Sequence, residues 1–119
     1  DSARATLKWL SENAADKGYA SVARLRLSAV LIEGKSYDDA LKLLGSGMVE
    51  EFAALADDRK GDIYALQGKK AEAKSEYQKA YKAFDEQSEY RRLVGVKLNA
   101  LGFDPEADAK IAANKEVAK

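Results

Sequence analysis

The sequence predicts an all-α fold, a short right-handed superhelix of antiparallel helical hairpins, and an internal repeat is the main observation behind this prediction. Residues 27–44 and 60–77 share one pattern: an amphipathic helix, a turn with glycine, and a second helix that opens on a small residue. Ala40 recurs as Ala73 after 33 positions. Hairpins that repeat with a period of about 34 residues are typical of helical solenoids. Eight glycines and one proline among 119 residues also suit helices joined by short turns.

The spacing of apolar residues predicts the helices in order. The predicted long helices span about 3–15, 20–33, 49–67, 71–84 and 89–101. A short helix should begin after Ser36, whose spacing from Asp39 is that of a capping box, and should end before Gly45. Gly34 and Gly68 are read as equivalent turn residues, which leaves one extra residue in the first turn.

The two ends of the chain differ from the repeats. Leu10 precedes Leu44 by 34 positions, so the first helix takes the place of the second helix of an earlier hairpin. We expect its apolar face to be exposed, and this face is a candidate for pairing with a second copy of the chain. In the tail, Asp104 is suited to cap the start of a helix, and Pro105 is suited to its first position. The predicted domains are a repeat domain over 1–102, truncated at its N-terminus, and a tail over 103–119 that can form a helix.

Composition argues against several classes of function. Twenty basic and twenty acidic side chains give a net charge of zero, which argues against nucleic acid as a partner. Cysteine and histidine are absent, which removes thiol nucleophiles, disulfides and Cys/His metal sites. No stretch approaches the roughly twenty apolar residues that span a bilayer. We therefore predict a protein that is not an enzyme, with no catalytic residues, no cofactor and no metal.

Small side chains recur where two helices of a hairpin would come close together. These predicted repeat-packing residues are Ser28, Ala40, Gly47, Gly61, Ala73 and Ala80. Their spacing resembles the signature of tetratricopeptide repeats. The chain departs from that signature at Arg24 and Asp57, which stand where tryptophan or another apolar residue is usual, and at Lys60, which replaces leucine.

A narrower resemblance covers about residues 19–102. The segments 25–27, 37–42, 58–62 and 68–73, with the ending at 97–101, are similar to the YfgM-like family. That resemblance implies the periplasmic repeat domain of a bacterial protein anchored in the inner membrane by one N-terminal helix that precedes these residues. It also implies translocon subunits of the Sec system and a periplasmic chaperone of the prolyl-isomerase type as partners. A self-assembling structural adaptor and a soluble cytoplasmic scaffold stay open as alternatives.

The inner face of the hairpins is the predicted partner-binding surface, an apolar trough that accepts a peptide. Its candidate residues are Val22, Leu25, Ala29, Ile32 and Leu55. The alternative is that the terminal helices fill the trough. A clamp for a C-terminal carboxylate is not expected, because Leu25 and Ala29 take the places of its polar residues.

The charged segments are read mainly as solvated surface. Asp58 and Asp62 lie one helical turn apart and are able to share a cation, but a solvated helix face is the favoured interpretation. Lys97 belongs to a locally basic C-terminal half in which acidic residues are interleaved. Trp9 and Tyr90 are the aromatic residues to test first for exposure. The last helix should direct Tyr90, Leu93, Val94, Leu98 and Leu101 inward.

Overall fold

The computed structural model describes residues 2–107 and 114, and within them the chain contains helices and no strand. The α-helices are α1 (Ser2–Asn13), α2 (Lys17–Glu33), α3 (Tyr37–Leu44), α4 (Ala53–Leu66), α5 (Lys70–Ala83) and α6 (Glu89–Ala100). A 3₁₀ turn, Glu50–Phe52, precedes α4. The predicted all-α fold is confirmed.

Successive helices pack on one another along an elongated molecule. α2 packs on α3 and α4 packs on α5, which gives the two hairpins, while α1 packs on α2 and α6 on α5. The molecule measures 56 × 31 × 21 Å, and its radius of gyration is 16.0 Å. A compact globule of this length would have a radius of gyration of about 13.5 Å. The extra length is what a stack of hairpins requires.

One turn geometry connects the helices of each hairpin. The backbone N–H groups of Ser36, Lys69 and Phe103 donate to the carbonyl oxygens of Leu31, Tyr64 and Leu98, at 2.8, 2.8 and 3.0 Å. In each turn the residue before the donor has a positive φ, namely Lys35 (62°), Gly68 (76°) and Gly102 (87°). This combination is the Schellman motif that ends many helices.

The shared turn corrects the repeat register. Lys35, and not Gly34, is equivalent to Gly68, so the first turn has no extra residue and the first two copies keep a spacing of 33 positions. The same turn at Gly102 shows that α6 begins a third copy, 34 positions after the second. The sequence-based prediction did not identify this copy, in which Leu98 and Val94 take the places of Tyr64 and Lys60.

Replacing Lys35 with glycine is expected to raise the free energy of unfolding by about 0.5 to 1 kcal/mol, because a side chain in the left-handed region crowds the following carbonyl. Urea denaturation of the purified domain measures this change. Ser36→Gly is the matched control, since Ser36 has a φ of −85° and gains nothing from glycine. A loss of stability in Lys35→Gly would contradict the turn geometry.

Two clusters of buried side chains form the core. The first joins α2, α3 and α4 and contains Leu25, Leu27, Leu31, Ala40, Leu44, Ala56 and Ile63. The second joins α5 and α6 and contains Ala73, Tyr77, Ala80, Val94 and Leu98. Among the predicted repeat-packing residues, the structure buries Ser28, Ala40, Gly61, Ala73 and Ala80.

Gly47 is the exception, and its predicted packing role is wrong. α3 ends at Leu44, so Gly47 lies in an exposed loop with a φ of 71°. A Cβ at this position would lie 2.8 Å from the guanidinium carbon of Arg24. The Nη1 atom of Arg24 donates to the carbonyl oxygens of Leu43 and Ser46, at 3.3 and 3.0 Å. Arg24 thus caps the end of α3, and it stands where tetratricopeptide repeats usually have an apolar residue.

The helix starts also differ from the prediction in detail. The capping box at Ser36 does not form, since its side chain makes no capping hydrogen bond. α2 begins at Lys17, and the carboxylate of Asp16 accepts from the N–H groups of Gly18 and Tyr19 at 2.8 and 3.1 Å. Gly18 therefore lies in the first turn of the helix and not in a loop.

The tail is described only at its start and at residue 114. Residues 105–107 are helical, and Asp104 accepts from the N–H of Glu106 at 3.0 Å. Pro105 is buried. The rest of the predicted tail helix, residues 108–113 and 115–119, lies outside the described residues.

Candidate partner-binding surface

An open groove lies between α2 and α4, with a volume of about 570 Å³. We call it the α2–α4 groove, and its lining residues are Ala29, Ile32, Glu33, Arg59, Asp62, Ala65, Leu66 and Tyr77. Leu66 is 60% exposed, and Ile32 is half-buried. Helices on both sides hold these side chains, so the groove presents an apolar strip on a rigid frame.

The structure divides the predicted partner-binding residues among three environments. Ala29 and Ile32 line the α2–α4 groove. Val22 lies in a separate groove of about 290 Å³ between α1 and α2, and Leu55 is half-buried against the first core cluster. Leu25 is only 8% exposed within that cluster, so it is unavailable to a partner, and placing it on the surface was an error. α2 packs against helices on several sides. Neighbouring helices therefore cover some residues of its apolar stripe and leave others in a groove.

A polar network closes one side of the groove. The ammonium of Lys97 in α6 lies 2.9 Å from Oδ1 of Asp58 and 3.1 Å from Oδ1 of Asp62, both in α4. The hydroxyl of Tyr77 in α5 donates to Oδ1 of Asp62 at 2.5 Å. The Lys97 nitrogen also stands 5.7 Å from the centroid of the Tyr77 ring. Four side chains thus connect α4, α5 and α6.

This network changes the interpretation of the acidic residues. Asp58 and Asp62 both pair with the ammonium of Lys97, which is not the metal cation considered from the sequence. The expectation of a solvated helix face is wrong for Asp58, whose side chain is 13% exposed. The four-residue spacing of the two aspartates was a usable signal. Nothing in the sequence indicated that a lysine 39 positions after Asp58 would reach them.

The surroundings shift the pKa of Asp58, Lys97 and Tyr77. Burial raises the pKa of Asp58 above its usual value despite the nearby ammonium. Burial lowers the pKa of Lys97, but its hydrogen bond to Asp58 and the charges of both carboxylates outweigh that effect and leave a raised pKa. Burial and the bond to Asp62 raise the pKa of Tyr77 far above its usual value. At neutral pH the lysine and tyrosine keep their protons, so the network holds the helices together.

Several large apolar side chains are exposed at the two ends of the array. Trp9 in α1 is 61% exposed, and Leu10 is 36% exposed. In α6, Tyr90, Leu93 and Val96 are 54%, 55% and 60% exposed. The inward direction predicted for Tyr90 and Leu93 is wrong, whereas α6 turns Val94 and Leu98 toward α5 as predicted. Tyr90 stacks on Phe84, with their ring centroids 5.6 Å apart.

Comparisons with known proteins agree with the helical repeat. Residues 1–103 match the family of the tetratricopeptide repeat-like domain. Over 101 residues the chain is 38% identical to the ancillary SecYEG translocon subunit of Neisseria gonorrhoeae, a match that covers 85% of this chain. It covers 48% of that relative, so the chain spans about half of the relative's length. No solved structure matches the chain. The resemblance predicted from the sequence is confirmed.

Within residues 2–107, no helix is both long enough and apolar enough to cross a membrane.

Proposed function

Because the chain belongs to the family of tetratricopeptide repeat-like domains, we propose that it is a non-catalytic scaffold that binds protein partners through the α2–α4 groove. The observation that carries this proposal is the exposed Leu66 beside the half-buried Ile32, on two helices that are fixed in a common core. Preorganised side chains bind with less loss of conformational freedom. Recognition by a rigid apolar groove is therefore the whole mechanism.

The partner we propose is the Sec translocon. The domain is then the periplasmic part of an accessory that is anchored in the inner membrane and also contacts periplasmic chaperones. The support is the 38% identity to an ancillary SecYEG translocon subunit, together with the family resemblance of residues 19–102. In this proposal the membrane anchor belongs to the longer protein and lies outside these 119 residues.

Leu66→Ser in the full-length protein tests the groove. Burial of the exposed part of a leucine against a partner stabilises a complex by about 1 to 2 kcal/mol, which corresponds to a five- to thirtyfold change in Kd. We expect the variant to bind purified translocon in nanodiscs more weakly by about that factor. Biolayer interferometry measures the Kd.

Trp9→Ser is the matched control, because Trp9 is exposed to the same extent as Leu66 but lies on α1, away from the groove. It should leave the Kd for the translocon unchanged. The groove is the wrong surface if Leu66→Ser binds like the wild type, or if both variants lose affinity equally.

Self-assembly is a second candidate function, and the exposure of Trp9 and Leu10 on α1 favours it. An apolar helix face of this kind suits contact with a second copy. Sedimentation velocity over a hundredfold concentration range should then show a dimer that Trp9→Ser weakens. A monomer at every concentration would eliminate this function and leave the first proposal intact.

A further inference from the structure

A further groove, of about 360 Å³, runs along α6 at the C-terminal end of the array. We call it the α6 groove, and its lining includes Tyr81, Ser88, Arg92, Val96, Asn99 and Pro105. Val96 is 60% exposed within it. The groove begins at the residues that follow the Gly102 turn and extends back to the start of α6.

The two complete hairpins show what lies along the first helix of a copy. After the turn at Lys35, α3 packs on α2, and after the turn at Gly68, α5 packs on α4. α6 begins the third copy and ends in the same turn at Gly102. Equivalent helices of a repeat array pack in equivalent ways. A helix that follows Gly102 is therefore expected to pack antiparallel to α6.

The start of the tail contacts α5 and the second core cluster. Phe103 packs against that cluster, and the ammonium of Lys74 lies 4.3 Å from the centroid of the Phe103 ring. The hydroxyl of Tyr81 donates to Oε1 of Glu106. Pro105 is buried. These contacts fix the place where a helix enters the α6 groove.

The described residues of the tail show which face of this helix is covered. Pro105 is buried, whereas Ala107 and Asn114 are exposed, and Asn114 is helical. In one continuous helix that turns about 100° per residue, Ala107 and Asn114 lie about 180° to 200° around the axis from Pro105. Ala73 of α5 is buried, but its equivalent Ala107 is exposed, so the tail turns a different face to the array than α5 does.

Length and charge make residues 108–119 a fitting occupant of the α6 groove. From Asn99 back to Ser88, α6 spans about 17 Å, and a helix that starts at Pro105 spans the same length by residue 116. The lining outside the tail carries two arginines and one glutamate. The tail carries four carboxylates and three lysines, so the two surfaces have opposite excess charge.

We propose that residues 108–119 continue the helix that begins at Pro105 and occupy the α6 groove, with Ala109 and Ala112 turned toward α6. Both alanines lie within about 40° of Pro105 around the helix axis. Their small side chains let the two helices approach closely. The tail then completes the third hairpin and covers Val96 at the end of the array. This inference does not depend on translocon binding.

Disulfide trapping in the 119-residue chain tests the proposal, because the chain contains no cysteine of its own. Val96→Cys with Ala109→Cys joins α6 to the covered face of the tail. The matched control is Val96→Cys with Ala107→Cys, which joins α6 to the exposed face over a similar length of chain. A disulfide requires Cβ atoms about 3.5 to 4.5 Å apart, so the first pair should close about tenfold faster in a glutathione buffer.

A second pair repeats the test further along the groove. Arg92→Cys with Ala112→Cys should likewise close faster than Arg92→Cys with Asn114→Cys. Circular dichroism verifies that each variant keeps its helices, as expected for substitutions at the exposed residues Arg92 and Val96.

Equal rates within both comparisons would show that the tail lies outside the groove and would overturn the proposal. A second copy in the groove would give a different result. The single variant Val96→Cys would then form a disulfide-linked dimer, faster at higher protein concentration, and this outcome would also overturn the proposal.

Discussion

Lys97→Met is expected to lower the free energy of unfolding by about 2 to 3 kcal/mol. The substitution leaves the carboxylate of Asp58 shielded from water beside Asp62, with no ammonium to compensate either charge. Removal of one partner from a buried ion pair costs about 3 to 5 kcal/mol. The Lys97 side chain is 34% exposed, so water offsets part of that cost. Urea denaturation of the purified domain at pH 7 measures the change.

The effect of Lys97→Met should depend on pH in a defined direction. Burial already raises the pKa of Asp58 in the folded chain, and loss of the ammonium raises it further. A carboxyl group with a raised pKa binds its proton more tightly when folded, so the variant recovers stability as the pH falls through that pKa. The difference from the wild type should therefore be largest at pH 7 and smaller near pH 4 to 5.

Arg92→Met is the control for this substitution. Arg92 is an exposed residue of the same helix, and its loss should change stability by no more than about 0.5 kcal/mol. Equal effects of the two substitutions, or a Lys97→Met effect that does not change with pH, would mean that the network does not hold α6 in place.

Gly61→Ala is expected to lower the free energy of unfolding by about 1 to 2 kcal/mol. A Cβ at Gly61 would overlap Cε1 of Tyr77, which is 3% exposed and cannot move without breaking its bond to Asp62. Overpacking of this kind costs about 1 to 3 kcal/mol, and alanine returns up to about 1 kcal/mol as the better helix former. Thermal and urea denaturation both measure the net loss.

Gly95→Ala is the matched control, because Gly95 takes the same place in the third copy. There the added Cβ would meet Cε2 of Tyr81 at 3.4 Å, an ordinary contact. Alanine should therefore stabilise the domain by about 0.5 to 1 kcal/mol. A stabilising Gly61→Ala, or the same sign for both substitutions, would contradict the repeat register.

The fold was predictable from the sequence because its main determinants are local or periodic. Ala40 and Ala73 are small because helices meet there, and that requirement recurs at a fixed spacing that can be read from the sequence. The register of the first turn was less predictable. Lys35 adopts a left-handed conformation that usually marks glycine, so the neighbouring Gly34 was the more obvious choice.

The candidate site was less predictable, because it depends on contacts between distant segments. The spacing of Val22 and Leu25 indicates one helix face, but only the packing of α1, α3 and α4 decides which residues of that face are covered. The meeting of Asp58 with Lys97 depends on how α6 lies against α4.

Hydrogen–deuterium exchange of the full-length protein, with and without purified translocon, tests the central claim most directly. If the α2–α4 groove is the binding surface, added translocon should slow exchange in the C-terminal halves of α2 and α4, around Ile32 and Leu66. Exchange in α3 should stay the same. Protection confined to α3 and α5, with α2 and α4 unchanged, would contradict the account.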